Sequence, residues 1–167
     1  MSIAAEVSRV ERKFVLPVKV AEDLYGRLRL LLPGDPFQGY KPYTVRSLYF
    51  DSFYNEDYVD KMDGLEYRKK IRIRIYSPDD KKAKLELKQK QGENQHKLSL
   101  SITREQAYEM IAGNYDCLLR EGSELAENIY GIMVKEQYRP AALIQYQRRA
   151  FAVPVNSIRI TFDSHIE

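Results

Sequence analysis

The sequence predicts an α+β fold: an antiparallel β-barrel with helices packed outside it. Three observations carry this. Period-2 alternation of apolar and polar residues dominates the 167-residue chain. Four stretches with helical spacing fall between the alternating ones. Several strands carry an apolar side and a cationic side, most regularly where Lys70, Arg72 and Arg74 alternate with Ile71, Ile73 and Ile75.

Strands are expected at about 7–16, 43–51, 65–76, 83–90, 96–102, 142–152 and 157–163. Pro17 opens a first helix, with Ala21, Leu24, Leu28 and Leu31 on one face and Pro33-Gly34 as its stop. Tyr54, Tyr58 and Met62 mark a short second helix, ended by Gly64. Thr103 and Gln106 form a capping box ahead of Ala107, Met110 and Ile111, and Gly113 stops that helix. Ser123 caps a fourth, whose apolar side holds Leu125, Ile129, Ile132 and Met133. Turns are expected at Ser77-Pro78-Asp79-Asp80, at Gln91-Gly92-Glu93-Asn94 and at Pro154.

No linker or repeat interrupts residues 1–167, so the chain reads as a single domain. Seven strands are an awkward number for a closed up-and-down barrel, which prefers an even count. The chain stops just after the strand Ile158–Asp163, so the natural domain is expected to continue, and the last strand or strands to lie beyond Glu167. The open edges of such a piece invite pairing with a second copy, so a homo-oligomer is one expected partner.

Net charge is only +3, so the placement of charge matters more than its sum. Cys117 is the only cysteine; beside Leu118 and Leu119 it reads as a buried structural thiol, and no internal disulfide is possible. His96 and His165 are too few and too far apart for a structural zinc site. The N-terminus does not resemble a signal peptide, and no apolar run approaches the roughly 18 residues of a membrane helix. The expected location is the cytoplasm, including the cytoplasmic side of a membrane complex.

The stretch Arg68–Tyr76 is the most informative. Ile71, Ile73 and Ile75 point one way; Lys70, Arg72 and Arg74 point the other. The next strand repeats this, with Ala83, Leu85 and Leu87 against Lys84, Glu86, Lys88 and Lys90. Leu98, Leu100 and Ile102 face away from Lys97, and Ile158, Ile160 and Phe162 away from Arg159. In the first strand Glu11 and Lys13 oppose Phe14 and Leu16. Neighbouring cations in a sheet repel by about 3 kcal/mol per pair at about 5 Å and an effective dielectric of about 20. Either the charged face is a solvated exterior, or it lines a concave site that a polyanion neutralises. Two features favour the second arrangement. The helices need an apolar sheet face to cover. Glu86 and Glu11 also sit among the cations, as a site for phosphates and a metal would require. Nucleic acid is not expected. Of the thirteen tyrosines, Tyr54 and Tyr58 have core helical spacing, and Tyr43 and Tyr49 belong to an apolar strand.

Six strings resemble one family in its own order. Glu11-Arg12-Lys13-Phe14 resembles the E-x-K opening of the CYTH-like triphosphate tunnel metalloenzyme superfamily. Arg46-Ser47-Leu48-Tyr49-Phe50-Asp51, Arg72-Ile73-Arg74-Ile75-Tyr76 and Leu85-Glu86-Leu87-Lys88 resemble strands of its VTC (polyphosphate polymerase) branch. So do Tyr146-Gln147-Arg148-Arg149-Ala150-Phe151 and Arg159-Ile160-Thr161-Phe162-Asp163. The resemblance implies an eight-stranded triphosphate tunnel with inward polar residues. It implies transfer of the γ-phosphoryl group of ATP to a growing polyphosphate chain with Mn²⁺ or Mg²⁺, and a membrane-attached partner. Hydrolysis of a triphosphate on the same fold, or binding of polyphosphate or inositol phosphates without turnover, are the alternatives.

By that resemblance Arg72, Arg74, Lys88, Arg148 and Arg159 are the catalytic candidates. Lys13, Lys70 and Lys97 join them in binding phosphate, and Glu11 and Glu86 are candidate metal ligands. Glu86 reads equally well as an ion-pair partner of Lys88 or Arg74, and Glu11 likewise as an ion-pair partner; the alternative for Lys97 is an exposed lysine. Arg149 reads as an outer, solvated charge, as do Lys81 and Lys82. Ser47, Tyr49 and Asp51 are left undecided between tunnel and packing. The family pattern continues with a further E-x-K strand that supplies the main metal-ligand glutamate, which this sequence does not contain.

Overall fold

The computed structural model describes residues 5–92, 94–153, 155 and 158–167, with only the backbone described for 5–9. Seven strands form one sheet: β1 (Ala5–Val10), β2 (Tyr43–Asp51), β3 (Tyr67–Ile75), β4 (Lys82–Gln91), β5 (Asn94–Thr103), β6 (Arg139–Val153) and β7 (Ile158–Ser164). Hydrogen bonding orders them β1-β5-β4-β3-β2-β6-β7. The pairs β1/β5, β3/β4, β4/β5 and β6/β7 are antiparallel. Helices are α1 (Val18–Leu31), α2 (Glu56–Met62), α3 (Arg104–Ile111) and α4 (Glu124–Lys135), with a 3-10 turn at Asp116–Glu121. The chain forms two compact units, one of Met1–Glu11 with Ser47–Ile144, the other of Arg12–Arg46 with Gln145–Glu167. Strands β2 and β6 contribute to both.

The first unit holds the larger core. Ile71, Ile73, Leu85, Leu87, Leu100 and Ile102 lie on one face of β3–β5, where the register sets Ile71 beside Leu87 and Leu85 beside Leu100. Met110 of α3, Cys117 and Leu118 of the 3-10 turn, and Ile129 and Met133 of α4 cover them. Each such side chain, fully buried, stabilises the fold by roughly 1.5–3 kcal/mol before entropy is counted. The aliphatic face therefore lies beneath the helices, as the second arrangement requires. Helix α3 starts at the predicted box: the Thr103 side chain accepts from the Gln106 backbone N–H, and the Gln106 side chain accepts from that of Thr103. It ends where Gly113 adopts φ +86, a conformation that costs other residues dearly. Ser123 caps α4 by accepting from Ala126.

Helix α2 departs from expectation. Tyr54, Tyr58 and Met62 are exposed, and its buried residue is Asp57. The helix is anchored by polarity: Asp51 accepts from the backbone N–H groups of Ser52, Asp57 and Tyr58, and the Ser52 hydroxyl accepts from Glu56.

In the second unit Tyr25 of α1 packs on Phe151 and Phe162, with ring centroids 5.1 and 5.6 Å away. Ala21 and Leu28 join this cluster, but Leu24 and Leu31 are exposed, contrary to the expected face. The physical reason is that the Tyr25 hydroxyl finds an acceptor in the Tyr40 carbonyl at 3.0 Å, so the whole ring can be buried. At Gly34 the chain passes so close to Gly39 that a Cβ would lie 2.5 Å from the Gly39 carbonyl carbon. The first strand ends at Val10 rather than continuing through Leu16, and Phe14 and Leu16 are exposed. Arg149 is no solvated charge: it pairs with Glu22 and stacks over Tyr25 at 4.0 Å. The expected turn at Pro154 lies outside the described residues, as does Glu93 of the β4–β5 turn.

Candidate phosphate-binding site

The antiparallel register of β3, β4 and β5 places their polar side chains in rows across the face opposite the core. One row is Lys70, Lys88 and Lys97; the next is Arg72, Glu86 and Ser99; the third is Arg74, Lys84 and Ser101. Directly opposed cations repel in a sheet, so the first row, and Arg74 with Lys84 in the third, carry an electrostatic cost, whereas Arg72 faces a carboxylate.

Glu86 is the centre of the arrangement. It is 1% exposed, and one of its oxygens, Oε2, accepts from Arg72 Nε at 2.6 Å and lies 2.5 Å from Arg72 Nη2 and 3.9 Å from Arg74 Nη1. The other, Oε1, accepts from Lys97 Nζ at 3.3 Å. Burial pushes the Glu86 carboxyl up, but Arg72, Arg74 and Lys97 more than offset it and hold it down at about 2. The arginines are themselves buried and braced by β2. Arg72 Nη1 donates to the Tyr49 hydroxyl at 2.8 Å, and Arg74 Nε to the Ser47 hydroxyl at 3.1 Å. Both guanidiniums are thus fixed in direction, with side-chain entropy already surrendered.

Lys88 is different. It faces this cluster with no hydrogen bond or ion pair of its own among the described residues. Burial pulls its ammonium down, and Arg72 and Arg74 add to that. Glu11 and Glu86 restore only part, leaving it at about 8. A half-buried cation held among other cations is stabilised further by an anion bound beside it.

The remaining candidates fall elsewhere. Glu11 acts electrostatically on Lys88 in the first unit. In the second unit, Arg148 donates to Asp163 through two parallel bonds of 2.6 and 2.7 Å and stacks on Tyr146. Arg159 pairs with Asp35 and donates to the Tyr43 hydroxyl at 2.8 Å, while Lys13 is exposed. As for a metal, Glu86 already faces three protein cations. Among the described residues no group of three or more carboxylate, histidine or thiol side chains is placed to hold an ion. Among the described residues the donor set does not fit a divalent cation held by the protein alone.

Sequence reasoning left the roles of Ser47 and Tyr49 open and did not find the counter-ions Asp163 and Asp35. It also missed a second polar cluster in the first unit. There the Tyr138 hydroxyl donates to Asp57 Oδ2 at 2.8 Å, and Lys69 Nζ lies 3.6 Å from Asp57 and 2.9 Å from Glu136. Burial pushes the Asp57 carboxyl up; Tyr138 and Lys69 pull it back to about 6. Among the described residues no helix is long and apolar enough to cross a membrane.

An antiparallel sheet with one face under helices and the other lined by anchored cations defines an α+β fold of the triphosphate-tunnel type. The chain belongs to the VTC domain family, whose model matches residues 8–167. Among solved structures it is similar to HpAC1 from Hippeastrum, described as an adenylyl cyclase candidate with a dominant triphosphatase activity. The two are 18% identical over 98% of this chain and 72% of that one, with a TM-score of 0.56. It is also similar to an adenylate cyclase candidate from Bacillus halodurans at 10% identity over 96% of this chain and 79% of that one. The TM-score there is 0.49, too slight to argue from. The search of curated proteins found no match.

Proposed function

We propose that this chain binds the phosphates of ATP and of polyphosphate on the cationic face of β3–β5. In the whole protein, the γ-phosphoryl group then passes to a growing polyphosphate chain. The observation that carries the binding step is Lys88, a half-buried ammonium with no ion-pair partner among the described residues, set between Lys70 and Lys97 in the register and one row from the Arg72–Glu86 pair. Arg72 and Arg74 are pre-aimed donors whose planar forks match phosphate oxygens. Phosphoryl transfer leaves little covalent work to a protein, and held donors at the equatorial oxygens supply most of what is needed. Lys70 and Lys97 extend the row across the sheet. Roles for Lys13, Arg148 and Arg159, and the use of Mn²⁺ or Mg²⁺, rest on the family resemblance. The membrane-attached partner and self-association rest on that resemblance and on the open sheet edges.

Membership of the VTC domain family supports transfer rather than hydrolysis. The triphosphatase activity described for the Hippeastrum protein supports a second reading, in which water accepts the phosphoryl group. Incubating the protein with ATP and Mn²⁺ separates them. Polyphosphate longer than the input nucleotide supports polymerisation; free phosphate alone supports hydrolysis. Failure of the chain to bind tripolyphosphate at all would overturn both.

A further inference from the structure

We propose that the Tyr49 hydroxyl is a further phosphate-binding group, donating its proton to an oxygen of the bound oligophosphate while it accepts from Arg72. This rests on the oligophosphate reading above. Strand β2 brings one hydroxyl to each buried arginine, and the two hydroxyls differ in reach. Ser47 is fully buried, so its contact ends at Arg74. Tyr49 is half-buried, on the same side as Arg72 and Glu86.

The direction of the Arg72–Tyr49 bond is fixed by chemistry. A guanidinium only donates, so the phenolic oxygen must accept, and its own hydrogen is left to find another acceptor. Among the described residues none takes it: the nearby carboxylate of Glu86 accepts from Arg72 and Lys97. The Arg72 cation also lies 5.6 Å from the centre of the Tyr49 ring. Accepting from a cation polarises the O–H and strengthens it as a donor. An unused, polarised donor beside a cluster of cations is matched by one ligand chemistry, an anion that presents several oxygens. The phenol then adds a neutral directional bond to what is otherwise a field of charge.

The test measures tripolyphosphate affinity by titration calorimetry at about pH 6.5, where Lys88 is charged. The proteins compared are the wild type, Y49F, and a chain carrying 3-fluorotyrosine at position 49. Phenylalanine keeps the ring, and an unchanged melting temperature verifies that Y49F folds. The expected loss in Y49F is roughly ten-fold or more, the range for a hydrogen bond to a charged group. Fluorine makes a phenol a stronger donor and a weaker acceptor, so the fluorinated protein is expected to bind more tightly than the wild type. A hydroxyl that merely positions Arg72 by accepting would give weaker binding on fluorination, and that result overturns the inference. So does full affinity in Y49F while the wild type binds. No binding by the wild type overturns the oligophosphate reading itself, and this inference with it.

Discussion

A lysine that shares its surroundings with two arginines and a carboxylate already engaged elsewhere is costly to charge, and Lys88 shows this in its value of about 8 against an ordinary 10.5. Because the folded value lies below the unfolded one, its stabilising contribution is complete above about 10.5 and is lost as pH falls through about 8. Binding a polyanion reverses that balance by favouring the ammonium. Tripolyphosphate affinity of the wild type is therefore expected to fall as pH rises through about 8, with proton uptake on binding. K88R, which stays charged, should bind across that range with a flatter pH profile, as calorimetry in buffers of different ionisation heat would show. Glu86 has the opposite sign. Its folded value of about 2 lies below the ordinary 4.5, so its contribution is present above about 4.5 and lost as pH falls through about 2. E86Q strands Arg72 in the interior. It should destabilise the protein by roughly 3 kcal/mol or more in chemical denaturation, with partial rescue by tripolyphosphate.

At the scale of elements, α2 and α3 are held by different means, and each can be tested. Helix α3 depends on its box, and T103A removes the side-chain acceptor for Gln106. A loss of about 1 kcal/mol is expected, read as a lower urea midpoint with unchanged slope. Helix α2 is tied down through Asp57, whose folded value of about 6 lies above the ordinary 3.8. Asp57 thus favours the folded state below about 3.8, and that gain disappears as pH rises through about 6. D57N keeps an acceptor for Tyr138 and abolishes the titration. Its stability is expected to vary less than the wild type's between about pH 4 and about pH 6, in melting curves taken across that range.

For the molecule as a whole, the sequence was most legible where local pattern and tertiary packing agree. The alternation in β3–β5 announced both faces, because every second residue is aliphatic and the register aligns them. The capping box at Thr103 was legible because it is wholly local. The buried face of α1 was not: Tyr25 displaced Leu24 and Leu31 through an acceptor fifteen residues away, which helical spacing does not reveal. The bracing of Arg72 and Arg74 by Tyr49 and Ser47 escaped for the same reason, since it depends on residues 23 and 27 positions away. The pairing of Arg148 with Asp163 is likewise set by the β6–β7 register and not by any string of letters.

Cys117 gives this chain a built-in reporter. It is the only thiol, it is 0% exposed, and it lies against the back of the strands whose other face carries the cations. Burial also raises it above the ordinary thiol value, which further slows its reaction. A maleimide can reach it only when the helical cover lifts, so the labelling half-time becomes a clock for that opening. If tripolyphosphate tightens the strands from the opposite side, the clock should run slower in its presence.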